Sequence, residues 1–423
     1  MKKIRIGIFG AGRGYNLSKN FMMMADCEIV ALCDSHKERR EAALAKLGGD
    51  VVGYDNFDDF VKHDMDAVVL ANNFHEHTPF AIKCFQHGLH VFSECISNIT
   101  MAEGVELIRE FEKANAKSKV IYMLAENYPD MIFNREMKRL VDGGTLGKIL
   151  YAEGEYNHPV AGDDLAFLKE YTYYPEHWRN YIPRTYYITH SLGPCMRITG
   201  ATPKRVTAFS VFAPNTEDIP SAEHVGDQVS IITTQNDDGT VFRVTGCAKF
   251  GAHHHTYRVC GTKGQAENLR GMDTKVMLRY NKWDTPEGAQ TESLYEPSWN
   301  DPEEKFIRRA GHGGGDYITS RTFIESIKAG KQPPHPYDVH SAVTMASVAI
   351  LAHRSVLEGG KPYDIPDFHT EEARRQYEND NLCPLWWNGN PPTMPSSSHP
   401  GYKPTERQMQ LFREQVMGIT EDK

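Results

Sequence analysis

Gly10-Ala11-Gly12-Arg13-Gly14 follows the apolar run Ile4 to Phe9 and opens a stretch with helical patterning. In that context a glycine loop binds a pyrophosphate. Gly10 permits a tight turn, Gly12 lets the backbone approach the phosphates, and the helix N-terminus offers amide donors with a favourable dipole. The third glycine stands one place early, because position 15 is Tyr15. Asp34 lies 24 residues beyond Gly10 (34 − 10) at the end of the second apolar run. A carboxylate there accepts from both adenosine ribose hydroxyls and opposes a 2′-phosphate, which predicts NAD rather than NADP. Lys37 is the residue best placed to alter that preference. Glycines that merely turn the chain are the alternative, and strand, loop, helix and Asp34 together argue against it.

The elements that must carry this loop are short apolar runs alternating with helical patterns. Strands are predicted at Ile4 to Phe9, Glu28 to Cys33, Ala67 to Leu70, His90 to Phe92 and Val120 to Leu124. Helices are predicted near Leu17 to Met24, His36 to Leu47, Thr78 to Gln86 and Met101 to Asn115. Such alternation implies a doubly wound parallel sheet over residues 1–126. A helix at Phe133 to Val141 then gives way to longer period-2 runs: Ile149 to Tyr156, Val206 to Val211, Val229 to Thr234, Val241 to Ala248 and Thr256 to Cys260. With turns such as Asp237-Asp238-Gly239, these predict a mostly antiparallel open sheet in an α+β domain over 127–367, built for substrate and subunit contact. Further helices are expected at Tyr317 to Lys328 and Ser341 to Leu357. In the tail, 368–423, residues Pro391 to Ser398 read as an extended linker, and Thr405-Glu406-Arg407-Gln408 reads as a capping box opening a short helix with Met409, Phe412 and Val416 on one face.

The chain of 423 residues has room for two domains, and its net charge, 47 − 56 = −9, comes without a block of like charge. A nucleic-acid partner is not expected, and a small-molecule enzyme is. Eight scattered cysteines without a Cys-x-x-Cys pair read as reduced thiols of a cytoplasmic protein. Met1-Lys2-Lys3 leads into an apolar run that stops at Gly10, so it reads as a first strand rather than a secretion signal. No apolar stretch approaches the ~18 residues that span a bilayer. In His253-His254-His255 only alternate side chains of a strand share a face, and no further ligand follows at metal-site spacing. A histidine-lined pocket wall is expected there, with no metal.

Several segments resemble the glucose-fructose oxidoreductase and inositol dehydrogenase family, Gfo/Idh/MocA. Asn72-Asn73-Phe74-His75-Glu76-His77 resembles its Thr-Pro-Asn-x-x-His loop, with His77 the strict match. Gly88 to Glu94 resembles the run into its Glu-Lys-Pro motif, and Ala125-Glu126-Asn127-Tyr128, Gly144 to Ile149 and Gly261 to Gly264 are similar to later landmarks. The resemblance spans roughly residues 4 to 367. It implies a Rossmann domain followed by an open-sheet domain, NAD as cofactor, hydride transfer on a sugar or cyclitol in the cleft, and dimers or tetramers. The cofactor contacts it implies are Gly10, Gly12, Arg13, Gly14, Asp34, Asn72, His77, Glu94, Cys95 and Asn127. Cys95 stands where that family carries its proton-transferring lysine, and no lysine occurs between Glu94 and Glu112. Tyr187-Ile188-Thr189-His190-Ser191-Leu192-Gly193-Pro194, after His177-Trp178-Arg179, is similar to a stretch of glycoside hydrolase family 109, as is Gly311 to Tyr317. Ile188 departs from the proline of that stretch. This second resemblance implies NAD retained through a cycle that cleaves a glycosidic bond.

With the lysine gone, His190 is the expected base for the sugar hydroxyl, since imidazole titrates near neutrality. Tyr187, three residues earlier, is expected to position that hydroxyl or act as a second proton carrier. His158, Arg179, His312 and Asp316 are expected substrate contacts. Each has a plainer structural reading. His190 could be a core histidine, Tyr187 an interface filler, Asp316 a helix cap, Asn127 a turn residue, and Cys95 a small apolar filler beside nicotinamide. The predicted enzyme oxidises a secondary hydroxyl, C3 by the chemistry of elimination, of a sugar or glycoside. It does so either as a net dehydrogenase or as the first step of redox-neutral glycosidic cleavage. The contrasting reading is an inactive NAD-binding regulatory or structural protein.

Overall fold

The computed structural model describes residues 2–419 apart from positions 161, 162, 173, 248 and 388. Six strands, β1 (Ile4–Phe9), β2 (Cys27–Cys33), β3 (Val52–Tyr54), β4 (Ala67–Leu70), β5 (His90–Ser93) and β6 (Tyr122–Leu124), form one sheet in the order β3-β2-β1-β4-β5-β6. Every pairing in it is parallel. Ala67-Val68-Val69-Leu70 is buried at all four positions, as a strand covered on both faces must be. The strand order reverses between β1 and β4, so the loops leaving these strands at their carboxyl ends bound the crevice in which such sheets bind ligands. β3, only three residues long, escapes the sequence reading because it lacks an apolar run.

Nine strands form the second sheet: β7 (Ile149–Asn157), β8 (Pro203–Val211), β9 (Val229–Asn236), β10 (Val241–Gly246), β11 (His254–Gly261), β12 (Gly264–Leu269), β13 (Met272–Tyr280), β14 (Glu292–Tyr295) and β15 (Tyr363–Asp364). Their order is β14-β13-β12-β11-β7-β10-β9-β8-β15, antiparallel except where β10 runs parallel to β7. The expected fold class is therefore observed. The fourth predicted run ends earlier, at Gly246, and Ala248 lies outside the described residues. β12 to β14 were not predicted, since polar Gln265, Glu267 and Asn268 mask the alternation.

Two helices tie the halves together. The helix Gly315–Ala329 comes late in the chain, yet it buries Tyr317, Ile318, Phe323 and Ile324 in the same core as Ile6, Ile8, Phe21 and Phe92 of the parallel sheet. The helix Val339–Leu357 is buried over most of its length and packs on β8 and on the helix Met101–Ser118. No helix among the described residues is long and apolar enough to cross a membrane.

The tail departs from expectation. Pro391 to Ser398 is a packed strap and no free linker, because its hydroxyls and carbonyls satisfy buried groups. Thr393 and Cys383 exchange hydrogen bonds at 2.8 Å, the Pro395 carbonyl accepts from His353 Nε2 at 2.7 Å, and Ser396 Oγ meets His224 at 2.9 Å. Before it, buried Arg374 donates two bonds of 2.7 and 2.5 Å to Glu112, and Arg354 pairs twice with Asp380 at 2.7 Å. The capping box at Thr405 and Gln408 is formed, and Phe412 and Val416 pack on Ala222 of the same chain.

Candidate active site

Gly10 adopts φ +101°, and a Cβ there would collide with the Ala71 carbonyl oxygen after β4. Gly12 faces open space, so its backbone is approachable. Gly14 does the work of the fingerprint's third glycine despite its early position: a Cβ would stand 2.7 Å from Ile8 Cγ2, so its absence lets the helix Arg13–Met22 close on β1. Asp34 accepts from the Ala11 N–H and the His36 N–H, both at 2.8 Å, which holds its carboxylate at the loop. The basic residue beside it is Arg40, bonded to the Asp34 carbonyl at 2.6 Å, while Lys37 turns toward Glu41.

Arg13 reaches across the crevice. Its Nε donates to Glu94 at 2.7 Å, and its two terminal nitrogens donate to Asp316 at 3.3 and 2.9 Å. Asp316 also accepts from Asn127 Nδ2 at 2.6 Å and pairs with His312 Nδ1 at 3.0 Å. Burial alone would raise the Asp316 pKa, but the His312 hydrogen bond and the Arg13 charge hold it far below the usual carboxylate range. Asp316 is thus buried at the centre of a clamp between the glycine loop, the end of β6 and the helix Gly315–Ala329. His77 lies behind the site, its Nδ1 2.8 Å from the Ile96 carbonyl, bracing the loops after β4 and β5. Asn72 begins the loop after β4 and is half-buried.

The residues present fit a dinucleotide. The loop backbone is open at Gly12, and the Asn127 amide oxygen is buried in the crevice with no hydrogen-bond partner among the described residues.

Farther along the crevice stands His190, near the start of the helix Thr189–Thr199. Its Nδ1 lies 2.8 and 3.0 Å from the two oxygens of Glu126, which is fully buried. Glu126 also accepts the Tyr128 N–H at 3.1 Å and the Cys95 thiol at 3.3 Å. Burial would raise this carboxyl, but the charge and hydrogen bond of His190 outweigh it and keep Glu126 ionised. A carboxylate on Nδ1 fixes the tautomer and aims Nε2 outward, the relation of an orienting acid to a catalytic histidine. The His190 ring stacks on Tyr128 at 4.3 Å and meets the edges of Tyr156 and Tyr187 at 4.9 and 5.4 Å. Tyr187 reaches it from a 3-10 turn, Arg184–Tyr187, just ahead of that helix. Burial keeps both tyrosine hydroxyls protonated.

Cys95 is more than an apolar filler. Burial first, then Glu126 and Glu94, push its pKa well above the ordinary thiol value, so it persists as a hydrogen-bond donor to Glu126. Glu126 and the ring of Tyr128 were not singled out from sequence, although both lie in the quoted Ala125-Glu126-Asn127-Tyr128 segment. A glutamate between a buried strand and a turn was the available signal.

His158 directly follows β7, with its Nδ1 3.0 Å from His253 Nδ1. Arg179 covers Trp178 at 4.3 Å, and Trp178 stacks on Phe74, which faces Tyr187 at 5.9 Å. His312, at φ 53°, sits 5.6 Å from Tyr128. The structure therefore gathers His190, Tyr187, His158, Arg179 and His312 around one aromatic wall. Of the histidine run, His253 faces His158, His254 pairs with Glu155, and His255 packs on Tyr128 and Phe133.

Comparison with known proteins agrees with this geometry. Residues 4–122 match the model of the oxidoreductase family with an NAD-binding Rossmann fold, and residues 134–374 match the C-terminal domain of glycosyl hydrolase 109. A glycosyl hydrolase family 109 protein of Stenotrophomonas maltophilia is 24% identical, over 87% of this chain and 89% of its own. An alpha-N-acetylgalactosaminidase of Shewanella oneidensis is 23% identical, over 87% and 85%. Levoglucosan dehydrogenase, solved with NADH and L-sorbose, superposes with a TM-score of 0.71 at 16% identity, covering 87% of this chain and 100% of that one, and so shares the fold. Both resemblances read from the sequence are borne out. With more than half its length on the second model and a Gfo/Idh/MocA-type NAD-binding Rossmann domain in front of it, the chain belongs to glycosyl hydrolase family 109.

Proposed function

We propose that this protein is an NAD-dependent glycosidase that oxidises C3 of a bound glycoside, eliminates the C1 substituent, adds water and reduces C3 again. The observation that carries this reading is the His190–Glu126 pair, 2.8 Å apart and set in the aromatic wall of the crevice, where the usual lysine is replaced by Cys95. Gly10, Gly12, Gly14, Asp34 and Asn127 would hold NAD, which when bound supplies the hydride acceptor and donor for the sugar carbon.

His190 Nε2 takes the proton of the sugar hydroxyl. Glu126 stabilises the resulting imidazolium, and the proton is held until the carbonyl oxygen is to be reprotonated. Tyr187 and Tyr156, kept protonated by burial, donate hydrogen bonds to the developing sugar oxyanion. A C3 ketone acidifies the C2 hydrogen, so water in the crevice can take that proton and give one to the departing C1 oxygen, and the C1 substituent leaves as an alcohol without an oxocarbenium ion. Water then replaces the leaving group at C1, and a proton returns to C2.

Arg13, Asp316 and His312 act from outside the reacting atoms, closing the crevice around the glycine loop. This moves Asp316 from an expected sugar contact to a positioning residue. His158 and Arg179 remain on the substrate side.

Nitrophenyl glycosides test the reading with enzyme carrying bound NAD. Aglycone release without NADH absorbance accumulating is the expected result. NADH formed in step with substrate loss, without aglycone, would make the protein a net dehydrogenase. An intact NAD complex that turns over none of a broad panel would favour an inactive binding protein.

A further inference from the structure

The antiparallel pairing of β7 with β11 sets Tyr156 opposite His255 and Asn157 opposite His254. One step further along this register His158 comes opposite His253. Side chains alternate along a strand, so Tyr156 and His158 share one face with His255 and His253. The rings confirm it. His158 meets His253 at 4.9 Å and joins it through the 3.0 Å Nδ1–Nδ1 hydrogen bond, and His253 meets the edge of His255 at 6.3 Å.

These contacts close a circuit with the His190 site. His255 stands 5.5 Å from Tyr128, Tyr128 stacks on His190 at 4.3 Å, and Tyr156 lies between His190, at 4.9 Å, and His158, at 5.9 Å. The two imidazoles are therefore no farther apart than the sum of their distances to Tyr156. One pyranose ring with a hydrogen bond of about 2.6–3.2 Å at each end suits that span. With the C3 hydroxyl on His190, the opposite end of the sugar, at the C1 oxygen, falls to His158, which is exposed and open to a ligand.

We propose that His158, oriented by His253, is the acid that protonates the departing C1 oxygen and the base that activates the water replacing it. This rests on the glycosidase reading above and replaces free water by a protein group at C1. In the elimination the C2–H electron pair becomes the C1–C2 double bond, the C2 proton passes to water, and the C1–O bond breaks with its electrons on oxygen. His158 Nε2 gives that oxygen its proton. In the hydration the neutral ring takes a proton from the water that adds to C1, water returns a proton to C2, and His158 is charged for the next cycle. His253 acts as a positioning residue: its Nδ1 accepts from His158 Nδ1 and leaves Nε2 for the substrate, as Glu126 does for His190.

Methyl and dinitrophenyl glycosides of glucose, galactose and N-acetylgalactosamine, in both anomers, test this on the NAD-loaded full chain. Alkoxide leaves poorly without a proton, whereas dinitrophenolate needs none. His158→Ala is expected to lower kcat/KM by about 10²- to 10⁴-fold on methyl glycosides and by less than about 10-fold on dinitrophenyl glycosides. His253→Ala is expected to show the same dependence on the leaving group with a smaller loss, a pattern that a merely structural role does not produce. Equal losses on both leaving groups, or no loss on methyl glycosides, would overturn the acid, and an unaltered His253→Ala would overturn the pairing. A wild type that cleaves neither class would instead remove the glycosidase reading and, with it, the leaving group that the pair serves.

Discussion

His190→Ala is expected to lower turnover by about 10²- to 10⁴-fold, the contribution typical of a positioned acid–base group, while NAD affinity is unchanged. The ring lies 176 residues beyond Gly14 (190 − 14) and touches Glu126, Tyr128, Tyr156 and Tyr187 rather than the cradle. Steady-state kinetics and NAD titration on the same preparation check both halves. Glu126→Gln keeps the shape and an acceptor at Nδ1 but removes the charge that stabilises the imidazolium, so it is expected to lose activity in the same direction. An active His190→Ala variant would remove this residue from the proton path.

Asp316→Asn is expected to destabilise the protein by about 2 kcal/mol at neutral pH, read by urea denaturation. Breaking a fully buried ion pair costs about 3–5 kcal/mol. Arg13 keeps 32% of its side-chain exposure and retains Glu94, which places the effect lower. The pH dependence follows from the direction of the shift. An unfolded aspartate titrates near ~3.9, whereas folded Asp316 lies far below. Its stabilisation is therefore complete above the unfolded value and is lost as pH falls through the folded one. The gap between wild type and Asp316→Asn is expected to be constant from neutrality to about pH 5 and to shrink below about pH 4. A gap that widens with acid would contradict the clamp.

The cofactor half was legible because its chemistry is local. A strand, three glycines and Asp34 lie within one βαβ unit, and each acts through its own backbone or its near neighbours. Even so, the role of Gly14 depends on Ile8, which no spacing rule names. The rest of the candidate site was only partly legible. His190 and Tyr187 stood out as titratable residues in one short stretch. Glu126 did not, since its importance comes from contact with residues 95, 128 and 190, which the fold alone brings together.

Cys95 was read by residue type as a filler, but its partner makes it a donor. The tail was misread because proline and serine composition signals a linker, whereas Ser396 and Ser398 spend their hydroxyls on His224 and Asp227. β12 to β14 were missed because their polar positions blur period-2 alternation.

The central claim is that a base in this crevice handles the proton of an oxidised sugar whose C2 then exchanges. It is tested most directly by running the reaction in D₂O and examining the released sugar by NMR. One deuterium at C2, with C3 keeping its original hydrogen, is the predicted result, because the C2 proton passes to solvent while the C3 hydrogen leaves and returns without mixing with water. Product with ordinary hydrogen at C2 and full aglycone release would contradict it.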